Sequence, residues 1–333
     1  MLKIGVLGVG HLGKIHLKCI QQTKCYELIG FYDTDDAVAK KVAETQGIRR
    51  FQDLKELLQA VDVVDIVTPT LTHFELAIQA IQQGKHVFIE KPLTHTLQEA
   101  EALIQASQEK NIKVQVGHVE RFNPAILALD KMSLQPMFIE AHRLAIFNPR
   151  GTDVSVILDL MIHDLDIVLS LVDSKVKAVY ASGVNVVSDT PDISNVRLEF
   201  ENGCVANLTA SRISMKQMRK IRLFQQDAYI SMDFLEKNAQ VIRLYDKDAK
   251  DLPTDANLLE LETKSGKKHI HIHMPETEAV NAIQLELETF AASILQNKKP
   301  RVSIEDGYEA MKLAHQIIHE IGKKNEYRTL NKE

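Results

Sequence analysis

Glu90, Lys91 and Pro92 stand together at the end of the apolar run HVFIE (86–90). A lysine ammonium beside a reacting hydroxyl or carbonyl stabilises developing negative charge and shifts proton affinities. Glu90 would orient it, and a proline restricts the backbone of the residue before it. On spacing alone, a charged pair closing a strand at the surface is an equal reading. A second set lies in ILDLMIHDLDIVLSLV (157–172). Asp159 and His163 are four apart and share a helix face, with Asp166 on the same side. The segment is apolar nearly all round, as buried helices are. A carboxylate and an imidazole are costly there unless paired or used. Three readings stay open: His163 as a proton acceptor held by Asp159, a core hydrogen bond between them, or an Asp/His/Asp metal site.

A third set is Gly8-Val9-Gly10-His11-Leu12-Gly13, a G-x-G-x-x-G run between an apolar stretch and an amphipathic one. Asp33 follows Gly13 by 20 residues, at the end of the next apolar run. This is the spacing of a dinucleotide-binding loop. Gly8 permits the tight turn, Gly10 admits a diphosphate to the backbone, and Gly13 lets helix and strand pack closely. The helix start at His11 and Leu12 offers unpaired N–H groups to the phosphates. Asp33 can accept the ribose hydroxyls and would repel a 2′-phosphate. Thr34, Asp35 and Asp36 come next, with no adjacent base, so NAD is favoured over NADP. Ligands of open parallel sheets lie beyond the carboxyl ends of the strands. By that rule Thr68 and Pro69, after VDVVDIV, join Glu90 and Lys91 as cofactor contacts, with His73 as a further candidate.

These residues need elements to hold them. Short apolar runs alternate with helical patterns through the first 120 residues: strands at 2–9, 26–33, 61–68, 86–90 and 112–118, and helices at 12–22, 37–47, 53–60, 73–84 and 96–111. That is the pattern of a parallel sheet covered on both faces. Beyond residue 120 the spacing predicts helices over 123–132 and 155–172, strands from 176 to 245, and closing helices over 278–297 and 305–322. A mostly antiparallel sheet follows. The fold class expected is α/β, a doubly wound Rossmann domain over 1–120 and an α+β domain with an open, largely antiparallel sheet over 121–333. With 333 residues, two domains are the natural expectation. A net charge of −5 gives no electrostatic reason for a nucleic-acid or anionic-membrane partner. No apolar run approaches a bilayer span, and the start lacks a signal-peptide pattern. Three cysteines, Cys19, Cys25 and Cys204, lack metal-ligand spacing, so a cytoplasmic location is expected.

The succession GVLGVGHLG, FYDTD and VDVVDIVTPTLTHFELAIQAIQQGKHVFIEKPL resembles the Gfo/Idh/MocA oxidoreductase family. The tail EAVNAIQLELETFAASILQNKKPRVSIEDGYEAMKLAHQII is similar too, so the likeness covers nearly the whole chain. It implies an NAD-dependent oxidoreductase in which Lys91, the lysine of the E-K-P element, acts at the catalytic centre. The family pattern D-x-G-x-H-x-x-D matches Asp159 to Asp166, which favours catalysis for Asp159 and His163 and no metal. Two departures stand out: Met161 occupies the glycine position, and the glycine-rich approach is reduced to PRGTDVSVIL (149–158). GHVERFNPA with LDLMIHDLDIVLSLV resembles the UDP-N-acetylglucosamine 3-dehydrogenase branch.

The expected reaction moves hydride between nicotinamide and a secondary alcohol of a sugar or sugar nucleotide, such as the 3-hydroxyl of a UDP-N-acetylhexosamine. Alternatives are oxidation of a free polyol such as inositol, reduction of a keto-sugar, and a non-catalytic dinucleotide-sensing regulator. In the connecting stretch VGHVERFNPA (116–125), Arg121 is a candidate for an anionic group and His118 and Asn123 for a polyol; Lys91, Asp159 and His163 complete the substrate set. A homodimer or homotetramer is expected from the resemblance. Thr209, Ser211 and Arg212 reach either substrate or the sheet rim. His269, His271 and His273 alternate along a strand, read as a solvated face in preference to a metal chelate.

Overall fold

The computed structural model describes residues 1–148, 154–246, 249, 252–253, 258–263 and 266–330, with the side chains of 324–330 left aside. The chain divides into two compact units, Met1–Phe122 with Val280–Lys312, and Asn123–Ala279 with Leu313–Glu333.

The first unit is built on five parallel strands: β1 (Leu2–Leu7), β2 (Tyr26–Tyr32), β3 (Val63–Ile66), β4 (His86–Glu90) and β5 (Val114–Gly117), in the order β2-β1-β3-β4-β5. Every residue of β3 and β5 is buried, as a sheet covered on both faces requires. Helices α1 (His11–Gln22), α2 (Asp36–Gln46), α3 (Leu54–Ala60), α4 (His73–Gln82) and α5 (Leu97–Glu109) connect the strands. Local chemistry sets their ends. Asp35 caps α2 by accepting from the amides of Ala37 and Val38, and Gly47 closes it in the left-handed region at φ +65°. Thr96 and Glu99 form a reciprocal capping box on α5. Parallel register places Asp65 opposite Phe88 and Glu90 opposite Gly117.

The sequence assigned everything after residue 120 to the second domain, whereas 280–312 belongs with the parallel sheet. The reason is burial. The later helix Ala282–Leu295 places Leu287, Phe290 and Ala291 in one apolar cluster with Ile4, Val6 and Leu17. Gln115 Nε2 donates to the Glu286 carbonyl at 2.9 Å, and the Val116 amide to the Val302 carbonyl at 3.1 Å.

The second unit starts with α6, which is one turn (Pro124–Leu127) and not the ten-residue helix expected over 123–132. Its continuation tightens into turns, with the Asp130 amide donating to Leu127 O and Met132 to Leu129 O. The strands are β6 (Phe138–Leu144), β7 (Val176–Val184), β8 (Ile193–Phe200), β9 (Val205–Ser211), β10 (Met218–Phe224), β11 (Ala228–Asp233), β12 (Asn238–Asp246), β13 (Leu258–Thr263) and β14 (Gly266–His273). They form one sheet in the order β13-β14-β12-β11-β10-β6-β9-β8-β7. Only the β6–β9 pair is parallel among these. The expected helix over 155–172 is present in two parts, a π-helical turn at Ile157–Met161 running into α7 (Ile162–Leu171). The α8 helix (Ala282–Leu295) and the α9 helix (Ile304–Leu330) close the chain, with α9 from Leu313 onward counted in the second unit. Leu313, Ala314 and Ile317 pack in its core with Val196, Leu208 and Ile221.

The three alternating histidines lie on β14, but not on a solvated face. His271 is buried, stacked on His273 with ring centroids 4.9 Å apart, and registered against Arg243 of β12 and Leu258 of β13. Arg212 is also buried; it donates to the Val154 carbonyl, and its backbone amide pairs with Asp192 O at 2.9 Å. Thr209 Oγ1 accepts from Asn195 Nδ2 at 2.9 Å. No helix among the described residues is long and apolar enough to cross a membrane.

Candidate functional site

The glycine loop leaves β1 and opens α1. Gly8 holds φ +88°, and a Cβ there would meet Thr68 Cγ2 at 2.8 Å. A Cβ on Gly13 would stand 2.0 Å from the Gly8 carbonyl oxygen, so the turn closes only with glycine at both places. Gly10 differs: nothing lies within 4 Å of where its Cβ would be. It is the N-cap of α1 and supplies no side-chain cap, and the first turn carries no acid. The first amides of α1, from His11 and Leu12 onward, thus lack an acceptor from a capping side chain, and the space beside Gly10 is open. An anion such as a diphosphate fits both features.

Asp33, at the end of β2, braces this loop. One carboxylate oxygen accepts from the Val9 amide at 2.7 Å and the other from the Asp35 amide at 2.8 Å. A carboxylate has about four acceptor positions, so capacity is left for ribose hydroxyls. Thr68 abuts Gly8 and accepts a hydrogen bond from the Thr72 hydroxyl at 2.8 Å. Pro69 beside it is exposed. The loops after β1, β2 and β3 therefore come together as the strand-end rule anticipates.

His73 behaves differently from the cofactor contact expected of it. Its ring is 1% exposed, with Nδ1 3.0 Å from the Pro92 carbonyl and Nε2 2.9 Å from the Thr68 carbonyl. It is a strut tying the loop after β3 to the loop after β4. Burial lowers its pKa, partly offset by those carbonyls. Glu90 and Lys91 end β4, both half-buried, and the Lys91–Pro92 peptide is cis. The Lys91 amide donates to Glu90 Oε2 at 3.2 Å. A Cβ on Gly117 would lie 2.8 Å from the Glu90 carboxyl, so the absence of a side chain there gives Glu90 its seat.

Behind Glu90 lies a residue that the sequence reading missed. His16 of α1 is fully buried, with Nδ1 2.9 Å from Asp65 Oδ2 and Nε2 3.2 Å from Glu90 Oε1. Two signals were available: an acid inside the otherwise aliphatic VDVVDIV, and a histidine on the inward face of the helix after the glycine loop. Neither names its partner without the tertiary fold.

In the second unit, Asp159 lies on the π-helical turn and His163 in the first turn of α7, both half-buried; Asp166 is buried. The pitch changes between them, so the simple four-residue face does not apply. Such turns recur at functional sites. Beside His163 is a second pair that sequence reasoning missed. Asp164 accepts from Arg143 Nε at 3.0 Å and from Nη2 at 2.8 Å, with both residues 3% exposed, fastening α7 to β6. Of the stretch PRGTDVSVIL, residues 149–153 lie outside the described residues. Asn123, expected at the substrate, caps α6 through Oδ1 at 3.1 Å from the Ala125 amide and donates to the Phe234 carbonyl at 3.0 Å. Its amide is committed to structure. His118 is buried and Arg121 half-buried, in the turn after β5. Among the described residues no group of three or more His, Cys, Asp or Glu side chains is arranged to hold a metal ion.

Comparison with known proteins gives this geometry a context. Residues 2–118 match the family described as "Oxidoreductase family, NAD-binding Rossmann fold", and residues 139–230 match the "GFO/IDH/MocA C-terminal domain". A UDP-N-acetylglucosamine 3-dehydrogenase from Acidithiobacillus ferrooxidans is 42% identical over 76% of this chain and 79% of its own. Its solved structure superposes with a TM-score of 0.85 over 96% of this chain and 97% of that one, at 34% identity. A scyllo-inositol 2-dehydrogenase (NAD(+)) from Bacillus subtilis is 30% identical over 64% of this chain and 68% of its own. With its glycine loop and bracing acid in place, residues 2–118 and 139–230 matched, and a relative 42% identical over 76% of its length, the chain belongs to the Gfo/Idh/MocA family of NAD-binding oxidoreductases.

Proposed function

We propose that this oxidoreductase oxidises a secondary alcohol of a sugar nucleotide to a ketone, with the 3-hydroxyl of a UDP-N-acetylhexosamine as its substrate. The observation that carries the reading is the 42% identity over 76% of the chain to a UDP-N-acetylglucosamine 3-dehydrogenase. The open space at Gly10 and the uncapped start of α1 support a bound dinucleotide diphosphate. The Asp33 carboxylate beside the loop supports NAD over NADP. Held by the amides at the start of α1 and by Asp33, a bound NAD would supply the hydride acceptor.

The side chains then have separate tasks. His163 takes the hydroxyl proton as the carbonyl forms. Lys91 stabilises the negative charge that gathers on that oxygen, and Asp159 orients the base. Arg121 answers the substrate's anionic group and His118 a hydroxyl. His73 and Asn123 are left out, because their polar atoms already serve the fold. The polyol alternative rests on the inositol dehydrogenase relative. Assembly as a homodimer or homotetramer finds support in the aromatic row Phe138, Phe224 and Tyr229, with centroids 5.8 and 5.1 Å apart and Phe224 37% exposed. A cytoplasmic setting suits the three free thiols.

Mixing the protein with NAD and UDP-N-acetylglucosamine, and separately with inositols, tests the reading by absorbance of NADH. Turnover on the sugar nucleotide and little on inositols is the expected outcome. Turnover on inositols alone transfers the reading to the polyol class, and NAD binding without NADH from either sinks the dehydrogenase assignment.

A further inference from the structure

We propose that His16 is a positioning residue for Lys91, acting through a buried Asp65–His16–Glu90 chain that runs from the middle of the sheet to the end of β4. The proposal rests on the reading of Lys91 given above.

Three observations carry it. First, the three groups are in line, joined by a hydrogen bond at Asp65 and an ion-pair contact at Glu90. Asp65 Oδ2 is 2.9 Å from His16 Nδ1, His16 Nε2 is 3.2 Å from Glu90 Oε1, and Glu90 Oε2 accepts the Lys91 amide at 3.2 Å. Second, the chain has no slack. His16 and Asp65 are wholly buried, the edge of the His16 ring meets Phe88 at a centroid distance of 5.8 Å, and Gly117 fixes the opposite side of the Glu90 carboxyl. Third, packing alone is a poor reason for it. Buried ion pairs are often no more stable than apolar residues of the same volume, and the strand around Asp65 is otherwise aliphatic.

Both ring nitrogens face carboxylates, which suits an imidazolium: Nδ1 is hydrogen-bonded to Asp65, and Nε2 lies at ion-pair distance from Glu90, outside hydrogen-bond geometry, where a neutral ring would turn one lone pair toward a carboxylate. Burial works against that charge, but the field and hydrogen bond of Asp65, then the Glu90 carboxylate, outweigh it and hold the His16 pKa well above the ordinary imidazole value. Burial pushes Asp65 upward against the pull of His16. Asp65 on β3, Glu90 on β4 and Cys19 on α1 are the titratable groups around the ring. The consequence is mechanical. The helix that presents its N-terminus to the dinucleotide also holds the carboxylate that grips the Lys91 backbone, so ammonium and cofactor keep one spacing. Displacements of about 1 Å at a reacting centre cost roughly a hundredfold.

His16→Gln keeps bulk and a donor and removes the charge. The expected result is a kcat lowered about tenfold or more, with the Kd for NADH and the KM for UDP-N-acetylglucosamine within about threefold of the parent. In a Lys91→Met background the same change should cost less than about twofold, because its effect runs through Lys91. Nitrogen-15 NMR of histidine-labelled protein should show both His16 ring nitrogens protonated at pH 7. Unchanged kcat overturns the proposal, as does weaker NADH binding at unchanged kcat, a full repeat of the loss in the Lys91→Met background, or a neutral ring. If His16→Gln does not fold, Glu90→Gln is expected to give the same split between kcat and KM, and its failure to do so overturns the proposal equally. Turnover that survives Lys91→Met overturns the assignment of Lys91 and this proposal with it. Turnover lost in Lys91→Met and kept in His16→Gln overturns this proposal alone.

Discussion

In the parallel-sheet unit the candidate side chains stand at strand ends, where topology alone gathers Gly8, Asp33, Thr68 and Glu90. In the nine-stranded unit Asp159 and His163 stand within a helical segment whose pitch changes between them. The first arrangement follows from rules about parallel strands. In the second, the buried Arg143–Asp164 pair ties α7 to β6 one residue from His163. The lesson is that strand ends gather their groups by topology, whereas groups on a helix are placed by what packs against that helix.

The largest expected effects fall on the two groups proposed to react, Lys91 and His163. Lys91→Met and His163→Asn are each expected to lower kcat by about a hundredfold or more, since a positioned acid–base group is typically worth that much. NADH affinity, measured by fluorescence, should stay near the parent value in His163→Asn. Loss of turnover in only one of the two would confine the chemistry to a single unit and break the comparison at its root.

Arg143→Met sharpens it next. The Asp164 carboxylate would remain buried without its bidentate partner, at a cost of about 3–5 kcal/mol in chemical denaturation. The pair change Arg143→Met with Asp164→Leu is expected to recover most of that stability, since apolar replacements of buried pairs are often neutral. If the double variant recovers stability but turns over slowly, the ion pair sets the orientation of the turn bearing His163 and not merely its burial. Equal turnover would leave the pair a packing device.

The same contrast explains what could be read beforehand. Strands and helices of the parallel unit were legible because buried strands run aliphatic, alternate with helical patterns, and are punctuated by glycines such as Gly47. The glycine loop and Asp33 were legible because their spacing is a backbone requirement. His16 with Asp65, and Arg143 with Asp164, were not: each pair is brought together only when separate elements pack, and a single sequence carries no distance between them. The segment 280–312 was misassigned for a like reason, since a helix pattern shows an apolar face but not which sheet covers it. The π-helical turn is hidden because ILDLM has ordinary helix residues.

The smallest effects come from the glycine loop, and they separate what a glycine does for the fold from what it does for the ligand. Gly13→Ala would press a methyl against the Gly8 carbonyl, which must move from a separation of 2.0 Å. Overpacking of this kind costs about 1–3 kcal/mol or more, and both stability and NADH affinity should fall together. Gly10→Ala meets nothing within 4 Å, and its φ of −63° with ψ of −154° lies just beyond the extended region alanine favours. Its cost to stability should stay within about 0.5–2 kcal/mol, the usual loss when a cap residue becomes alanine. Its NADH affinity should nonetheless drop, because the methyl occupies the space the diphosphate needs. Melting temperature and NADH fluorescence titration on the two variants decide the matter. Equal NADH affinity in Gly10→Ala and the parent would mean that the open space beside Gly10 is not where the diphosphate lies.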